Sequence, residues 1–177
     1  GEVNYASTDL LSNNEQKIKS SRINDFKNAC KRQSLSLEIL LNSISKWEET
    51  KLIVLGDTII DQYSACEALG LSAEAPVVVV KELKEKRFIG GAAIVAAHIK
   101  EIGPECSLIS VIGDDEEGKF VKKELQERSI NDFLIIDNTR PTTFKKRYVV
   151  ENQKLFRVSR LEDHKINKKI EDKIIQK

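Results

Sequence analysis

Two aspartates closely follow a short apolar run near the end of the first third of the chain. Residues 56–61 have the sequence GDTIID, and they follow residues 52–55 (LIVL), a run typical of a strand that is buried on both faces. Ligands of open α/β sheets bind beyond the carboxyl ends of such strands. Asp57 or Asp61 could therefore accept hydrogen bonds from ligand hydroxyl groups. Equally, either could be a turn carboxylate or a helix N-cap.

A pair of glycines opens the most regular helical pattern of the chain. Gly90 and Gly91 precede residues 92–102 (AAIVAAHIKEI). Without Cβ atoms, the backbone here would let a ligand approach, and the free N–H groups of the first helical turn could donate to its oxygens. A plain tight turn is the alternative. We expect His98, on the mostly apolar helix, to be packed and hydrogen-bonded rather than to act as a base.

Basic residues cluster in the sequence RPTTFKKRY. If this segment is a strand, its period of two places Lys145 and Arg147 on one face and Lys146 and Tyr148 on the other. Paired cations on one face, together with Arg157 further along, suit a sugar phosphate or a carboxylate, because arginine binds oxyanions with two hydrogen bonds. Taken alone, the pattern favours the alternative, a solvent-facing basic edge strand that resists aggregation.

Alternating strands and helices must position these residues. The patterns predict strands over residues 52–55, 76–82, 84–89, 106–112, 133–136, 142–150 and 154–159, and helices over 92–102, from about 114, and over 166–177. This order indicates an α/β fold, a sheet with an additional antiparallel flap.

Residues 1–50 differ from the rest. Between residues 16 and 32 there are six basic residues and one acid, which favour a solvated helix face over an anion-binding patch. Residues 37–47 show the spacing of an amphipathic helix. No Pro or Gly occurs between residues 2 and 55, so we expect a helical connector over 1–50 and a second unit over 51–177.

Composition excludes several classes of protein. The 177 residues include 29 Lys and Arg against 28 Asp and Glu, so the balance gives no support to binding of nucleic acid or of an acidic membrane. No apolar stretch is long enough to cross a bilayer. Three widely spaced cysteines without a CxxC motif favour neither disulfides nor a metal site, and they suggest a reducing cytoplasm.

The ends of the sequence suggest a piece of a longer protein. The chain contains no Met and begins at Gly1. At the other end, Ile166, Ile170 and Ile174 form an apolar helical stripe that needs something to pack on. We expect this stripe and part of residues 52–55 to be uncovered, which would favour a homo-oligomer, a dimer, over a monomer.

Five motifs occur in the order found in one family of enzymes. GDTIIDQY, LSAEAPVVVV, RFIGGAAIVAAHIKEIG, SVIGDDEEGK and RPTTFKKRYVVENQKLFRVSR resemble the ribokinase-like carbohydrate kinases of the PfkB family over residues 51–163. Within that family the chain is most similar to the heptose-phosphate kinase domains of ADP-heptose synthases. VNYASTDLL resembles the end of a cytidylyltransferase-like nucleotidyltransferase domain, which some related proteins carry ahead of the kinase.

The resemblance implies a fold and a substrate site. The fold would be the N-terminal half of a ribokinase-like domain, a mostly parallel sheet between helices with a small β-lid built partly from residues 75–89. In the family, the Asp matching Asp61 contacts sugar hydroxyls, and the backbone matching Gly90 and Gly91 lines the same pocket. The distal phosphate of the sugar would be bound by Lys145, Arg147, Asn152, Gln153 and Arg157. Ile94 departs from the family, which often has a sugar-binding Asn there.

The resemblance also implies that the catalytic centre is absent from this chain. The family's proton acceptor belongs to a Gly-Ala-Gly-Asp segment, and no glycine follows Gly118. We therefore predict no catalytic residue here and no ATP or Mg²⁺ bound to this piece, although the full-length parent would use both. The alternative is a non-catalytic sugar-binding or interaction module that kept the kinase fold.

Overall fold

The computed structural model describes residues 15–151 and 153–177. The segment VNYASTDLL and the predicted site residue Asn152 lie outside the described residues. The helices are α1 (Glu15–Arg32), α2 (Leu37–Ser45), α3 (Ala92–Glu101), α4 (Glu116–Glu127) and α5 (Lys168–Ile175). The strands are β1 (Lys51–Leu55), β2 (Thr58–Leu71), β3 (Val78–Gly91), β4 (Glu105–Ile112), β5 (Asn131–Ile136), β6 (Thr143–Val150) and β7 (Gln153–Arg160).

A three-stranded parallel sheet in the order β1-β4-β5 forms the first layer. Successive residues of a strand point to opposite faces, so Leu108 and Ile109 of β4 are buried on different sides. The Leu108 side packs in one cluster with α3 and α4, through residues such as Ala96 and Val121. On the other side, Ile109 packs with Ile170 of α5. The predicted α/β layering, with helices on both faces of a parallel sheet, is confirmed.

Sequence reasoning was wrong about one of the two apolar segments that it expected to be uncovered. The Ile166–Ile170–Ile174 stripe is not uncovered, because Ile170 is 5% exposed and packs on the parallel sheet, with Ile166 and Ile174 beside it. The expectation that part of residues 52–55 is uncovered is confirmed. In the described part of the chain β1 pairs with β4 alone, and Ile53 and Leu55 are 68% and 64% exposed.

A four-stranded mixed sheet in the order β3-β2-β6-β7 forms the second layer, where the lid was expected. Strand β2 pairs antiparallel with β3 and parallel with β6, and β6 pairs antiparallel with β7. The prediction of two strands over residues 76–82 and 84–89 was wrong, since both belong to β3. Its partner β2 was missed because Gln62 and Ser64 are polar yet buried, through hydrogen bonds to β3 that hydropathy does not reveal.

The two N-terminal helices match their patterns. Ser36 caps α2, its hydroxyl accepting a hydrogen bond from the backbone N–H of Ile39 at 3.2 Å. The helix ends at Ser45, before the end of its pattern over residues 37–47, and Leu37 and Leu41 remain exposed. None of the helices that the structure describes is long and apolar enough to span a membrane.

Candidate functional site

The glycine doublet, Gly90 and Gly91, ends β3 next to the turn over residues 56–57 that connects β1 of the parallel sheet to β2 of the mixed sheet. We call this place the junction of the two sheets. Gly91 pairs with Thr58 and has a φ of +60°, a conformation that favours glycine. A Cβ at this position would collide with the carbonyl oxygen of Asp57. That oxygen instead accepts a hydrogen bond of 2.8 Å from the N–H of Ala92, the first residue of α3. The backbone of Asp57 thus fixes the turn into the helix, while its side chain is left exposed.

Asp61 lies on β2 with its two carboxylate oxygens in different surroundings. Its Oδ1 accepts a hydrogen bond from Nη1 of Arg147, within an ion pair whose side chains are 27% and 15% exposed. Its Oδ2 lies against Gly90, where a Cβ would come within 2.6 Å of it. Glycine at this position therefore leaves room for the carboxylate.

Aromatic rings support this ion pair. The guanidinium carbon of Arg147 lies 5.3 Å from the ring centroid of Tyr63, a cation–π geometry. The ring of Tyr63 in turn meets Phe88 edge to face, with a centroid separation of 6.1 Å. Phe88 lies directly opposite Asp61 across the β2–β3 pair. The carboxylate of Asp61 therefore lies close to the guanidinium of Arg147 and to the aromatic side chains of Tyr63 and Phe88.

Lys145 lies directly opposite Asp61 across the parallel β2–β6 pair. It lines a cleft of about 410 Å³ together with Asp57, Arg140 and His164. The structure therefore brings Asp57 and Lys145, 88 positions apart in the sequence, to one opening beside the junction of the two sheets. Glu162 and Asp163 also line the cleft, so it offers carboxylates as well as cations to a polar ligand.

The remaining predicted residues are spread along the mixed sheet. Arg157 of β7 lies directly opposite Arg147 and is exposed. Gln153 pairs with Val150 at the far end of the sheet, five residues from Lys145. Since a strand rises about 3.3 Å per residue, Gln153 is about 17 Å from the level of Lys145. The structure therefore does not bring Gln153 to the junction.

Strand β6 is not the basic edge strand that its sequence favoured. It lies between β2 and β7, and the predicted alternation of its basic residues is confirmed. Opposite the face of Arg147, the ammonium of Lys146 lies 3.2 Å from Glu82 and 3.6 Å from Glu85, and 4.9 Å from the ring centroid of Tyr148. Burial is the largest single influence and would lower the pKa of Lys146, but its hydrogen bonds and charge interactions with Glu82 and Tyr148 together outweigh it and raise the pKa above its ordinary value.

Asp115 fixes the start of β6, and sequence reasoning missed this role. The acidic start of α4 suggested only a favourable interaction with the helix dipole. In the structure Oδ1 of Asp115 accepts from the N–H of Gly118 and the hydroxyl of Thr142, at 2.8 and 2.7 Å, and Oδ2 accepts from the N–H of Thr142 at 2.8 Å. Burial would raise the pKa of Asp115, but these hydrogen bonds outweigh it and lower the pKa. The sequence pattern did not predict this contact because Asp115 and Thr142 are 27 residues apart.

A second polar cluster joins the loop before β6 to the segment after β7. The carboxylate of Asp137, 2% exposed, accepts hydrogen bonds from Thr139 and from Nε of Arg140. Arg140 also donates to the carbonyl oxygen of His164 at 2.7 Å. Hydrogen bonding by Thr139 is the main cause that lowers the pKa of Asp137. This cluster orients Arg140 at the rim of the cleft that contains Lys145.

His98 is not packed, contrary to expectation. The buried face of α3 consists of Ala93, Ala96 and Ala97, and His98 follows on the exposed side. Small residues on that face allow α3 to pack closely on the sheet, and the imidazole is left outside the core.

The match with a family model now adds to this geometry. A model described as pfkB family carbohydrate kinase matches residues 49–174. The chain belongs to the pfkB family of carbohydrate kinases. The resemblance drawn from the five motifs is thereby confirmed, and both the parallel sheet and the mixed sheet lie within the matched range.

Curated relatives and a solved structure agree with the assignment to this family. The chain is 41% identical over 111 residues to bifunctional protein HldE of Campylobacter jejuni subsp. doylei, covering 63% of this chain and 23% of that protein. It is 38% identical over 125 residues to bifunctional protein HldE of Nitratiruptor sp., covering 71% and 27%. The chain thus spans about a quarter of these relatives. A carbohydrate kinase from Agrobacterium tumefaciens shares the fold, with a TM-score of 0.50, 19% identity, and coverage of 62% of this chain and 35% of that one.

Proposed function

We propose that residues 51–177 are the sugar-binding half of an ATP-dependent sugar or sugar-phosphate kinase similar to the heptose-phosphate kinases. The observation that carries this proposal is the position of Asp61, a carboxylate beside the glycine doublet at the junction of two sheets, in a member of a carbohydrate kinase family. The relatives that share about 40% identity are named bifunctional. We infer that residues 1–50 are a helical connector that follows a nucleotidyltransferase-like domain.

The sugar would be bound between carboxylates and backbone. Asp61 and Asp57 are acceptors for its hydroxyl groups, and the backbone of Gly90 and Gly91 would line the same pocket. Buried hydrogen bonds of this kind reject analogues that lack the matching hydroxyl.

A phosphate at the distal end of the sugar would meet the basic face of the mixed sheet. Lys145, Arg147 and Arg157 share that face by strand alternation and register. Gln153, the first residue of β7, would lie beyond such a phosphate, about 17 Å from the level of Lys145.

Phosphoryl transfer would require a proton acceptor and an ATP site, which we do not assign to these 177 residues. The reaction is in-line transfer of the γ-phosphoryl group of Mg-ATP to a sugar hydroxyl, which depends mainly on positioning and charge stabilisation. The residues of this chain bind and orient the acceptor sugar. Residues 15–151 and 153–177 contain no group of three or more His, Cys, Asp or Glu that could hold a metal ion, so we assign no step on this chain to Mg²⁺.

A second candidate function rests on Ile94. This residue is partly buried and packs against the main hydrophobic cluster, where an Asn would offer the sugar a hydrogen bond. Loss of that contact favours a non-catalytic module that binds a sugar, or a partner, through the retained fold.

An assay of the complete gene product separates the two candidates. ATP consumption is measured against a panel of sugars and sugar phosphates, and sugar binding is measured by calorimetry in parallel. We expect turnover with a sugar phosphate and none with residues 1–177 alone. Binding without turnover on any sugar would favour the sugar-binding module. Neither binding nor turnover would contradict both the kinase and the sugar-binding module and would leave only a module that binds a partner.

A further inference from the structure

We propose that Arg147 is a positioning residue for Asp61: it binds one oxygen of the carboxylate so that the other faces the sugar. This rests on the proposed function, because it assigns separate roles within the same sugar site. It also changes the part given to Arg147, which the sequence pattern placed among the ligands of the distal phosphate.

The two oxygens of Asp61 are distinguished by their neighbours. Oδ1 accepts the hydrogen bond from Nη1 of Arg147, whereas Oδ2 lies next to the backbone of Gly90. A carboxylate without such a partner rotates about its terminal bond with little preference. The bond from Arg147 stops this rotation and leaves the lone pairs of Oδ2 for a hydroxyl group of the ligand.

Arg147 is itself fixed in a way that suits a supporting residue. Its side chain is only 15% exposed, and its guanidinium lies over the ring of Tyr63 at 5.3 Å. Phe88 in turn packs edge-on against Tyr63. A planar guanidinium fixed by a ring and a carboxylate holds its geometry better than a flexible ammonium would.

Lys145 is the better candidate for contact with an anion. It lies on the same face of β6 as Arg147, directly opposite Asp61, and it lines the cleft that also contains Asp57 and His164. Whereas Arg147 is paired with Asp61, Lys145 makes no ion pair with a described residue. Its charge is therefore available at the opening, so the two cations of this face have different tasks.

The experiment compares the two cations on two substrates. Arg147→Ala, Arg147→Lys and Lys145→Ala are made in the complete gene product, and kcat and KM are measured with a heptose phosphate and with the corresponding unphosphorylated heptose. We expect Arg147→Ala to lower kcat/KM by about 10- to 100-fold on both sugars, because the lost contact acts through Asp61. Lys145→Ala should lower kcat/KM on the phosphorylated sugar alone. A loss in Arg147→Ala confined to the phosphorylated sugar would overturn the proposal.

A double-mutant cycle tests whether Arg147 acts through Asp61. In the Asp61→Asn background, Arg147→Ala should change kcat/KM by less than about twofold, whereas independent contacts would give multiplied losses. Arg147→Lys should recover part of the activity, and thermal unfolding of each variant shows whether it folds. If the unmodified protein turns over neither sugar, the proposed catalytic function fails, and the same ratios are then sought in sugar affinities measured by calorimetry.

Discussion

The two sheets of this protein are stabilised in different ways. In the parallel sheet, apolar side chains such as Leu108 and Ile109 are buried against helices on both faces. The mixed sheet contributes Ile60, Ile89 and Phe144 to the main hydrophobic cluster, and it additionally carries charged pairs between its strands, including Arg147–Asp61 and Lys146–Glu82. The first arrangement gives stability through buried area. The second fixes the orientation of individual polar side chains, and a binding site depends on such fixed orientations.

Truncation of the parallel sheet should have the largest effect on stability. Leu108 is fully buried in the main cluster, and Leu108→Ala should lower the free energy of unfolding by about 3–5 kcal/mol because it leaves a cavity. The matched control is Leu55→Ala on β1, where Leu55 is 64% exposed and a change under about 0.5 kcal/mol is expected. Denaturant unfolding measures both. Equal losses would show that the stability of the parallel sheet does not depend on burial in its core.

Addition of a methyl group at the junction should impair binding more than stability. A Cβ on Gly90 would lie 2.6 Å from Oδ2 of Asp61, so Gly90→Ala should displace the carboxylate and weaken sugar binding by about 10- to 100-fold. Calorimetric titration with the sugar measures this effect, with unfolding curves as the control. A variant of unchanged affinity would show that Asp61 does not contact the sugar.

Removal of the Lys146 side chain, on the opposite face of the mixed sheet from Asp61, should impair stability more than sugar binding. Lys146→Ala leaves Glu82 and Glu85 together without their ammonium partner, so we expect a loss of about 1–2 kcal/mol in stability. Sugar affinity should change less than twofold, because Lys146 points away from Asp61. A large loss of affinity with normal stability would mean that the two faces are not functionally separate.

Acidic pH should slightly weaken the contact between Asp115 and Thr142, the residue before β6. The pKa of Asp115 in the folded protein is lower than its ordinary value of 3.8, so its contribution to stability is complete above that value and is lost as pH falls through the folded pKa. Asp115→Asn should therefore lower stability by about 1 kcal/mol at pH 7 and reduce its decline below about pH 4. Thermal unfolding between pH 2.5 and 7 tests this. Parallel pH curves for both proteins would contradict it.

The sequence alone determined the elements whose signals are local. Strand β4, helix α3 and the start of helix α4 were each predicted within about two residues, because a continuous apolar run or a helical period, with Gly or Asp at the boundary, depends on neighbours in the chain. The motif order also determined the family. Gly90 and Gly91 were predicted to let a ligand approach the backbone, and this stays a prediction, because the atoms nearest to their missing Cβ positions belong to Asp61 and Asp57 of the chain itself.

Only the tertiary structure decided how these elements meet. Strand β2 was missed because its buried Gln62 and Ser64 find their partners on β3, and β6 became an inner strand because β7 folds back on it. The pairing of Asp61 with Arg147 joins residues 86 positions apart. Hydropathy and spacing report on neighbours within a few residues, whereas the partner of a buried polar group is set by register between strands, and this appears only when the sheet forms.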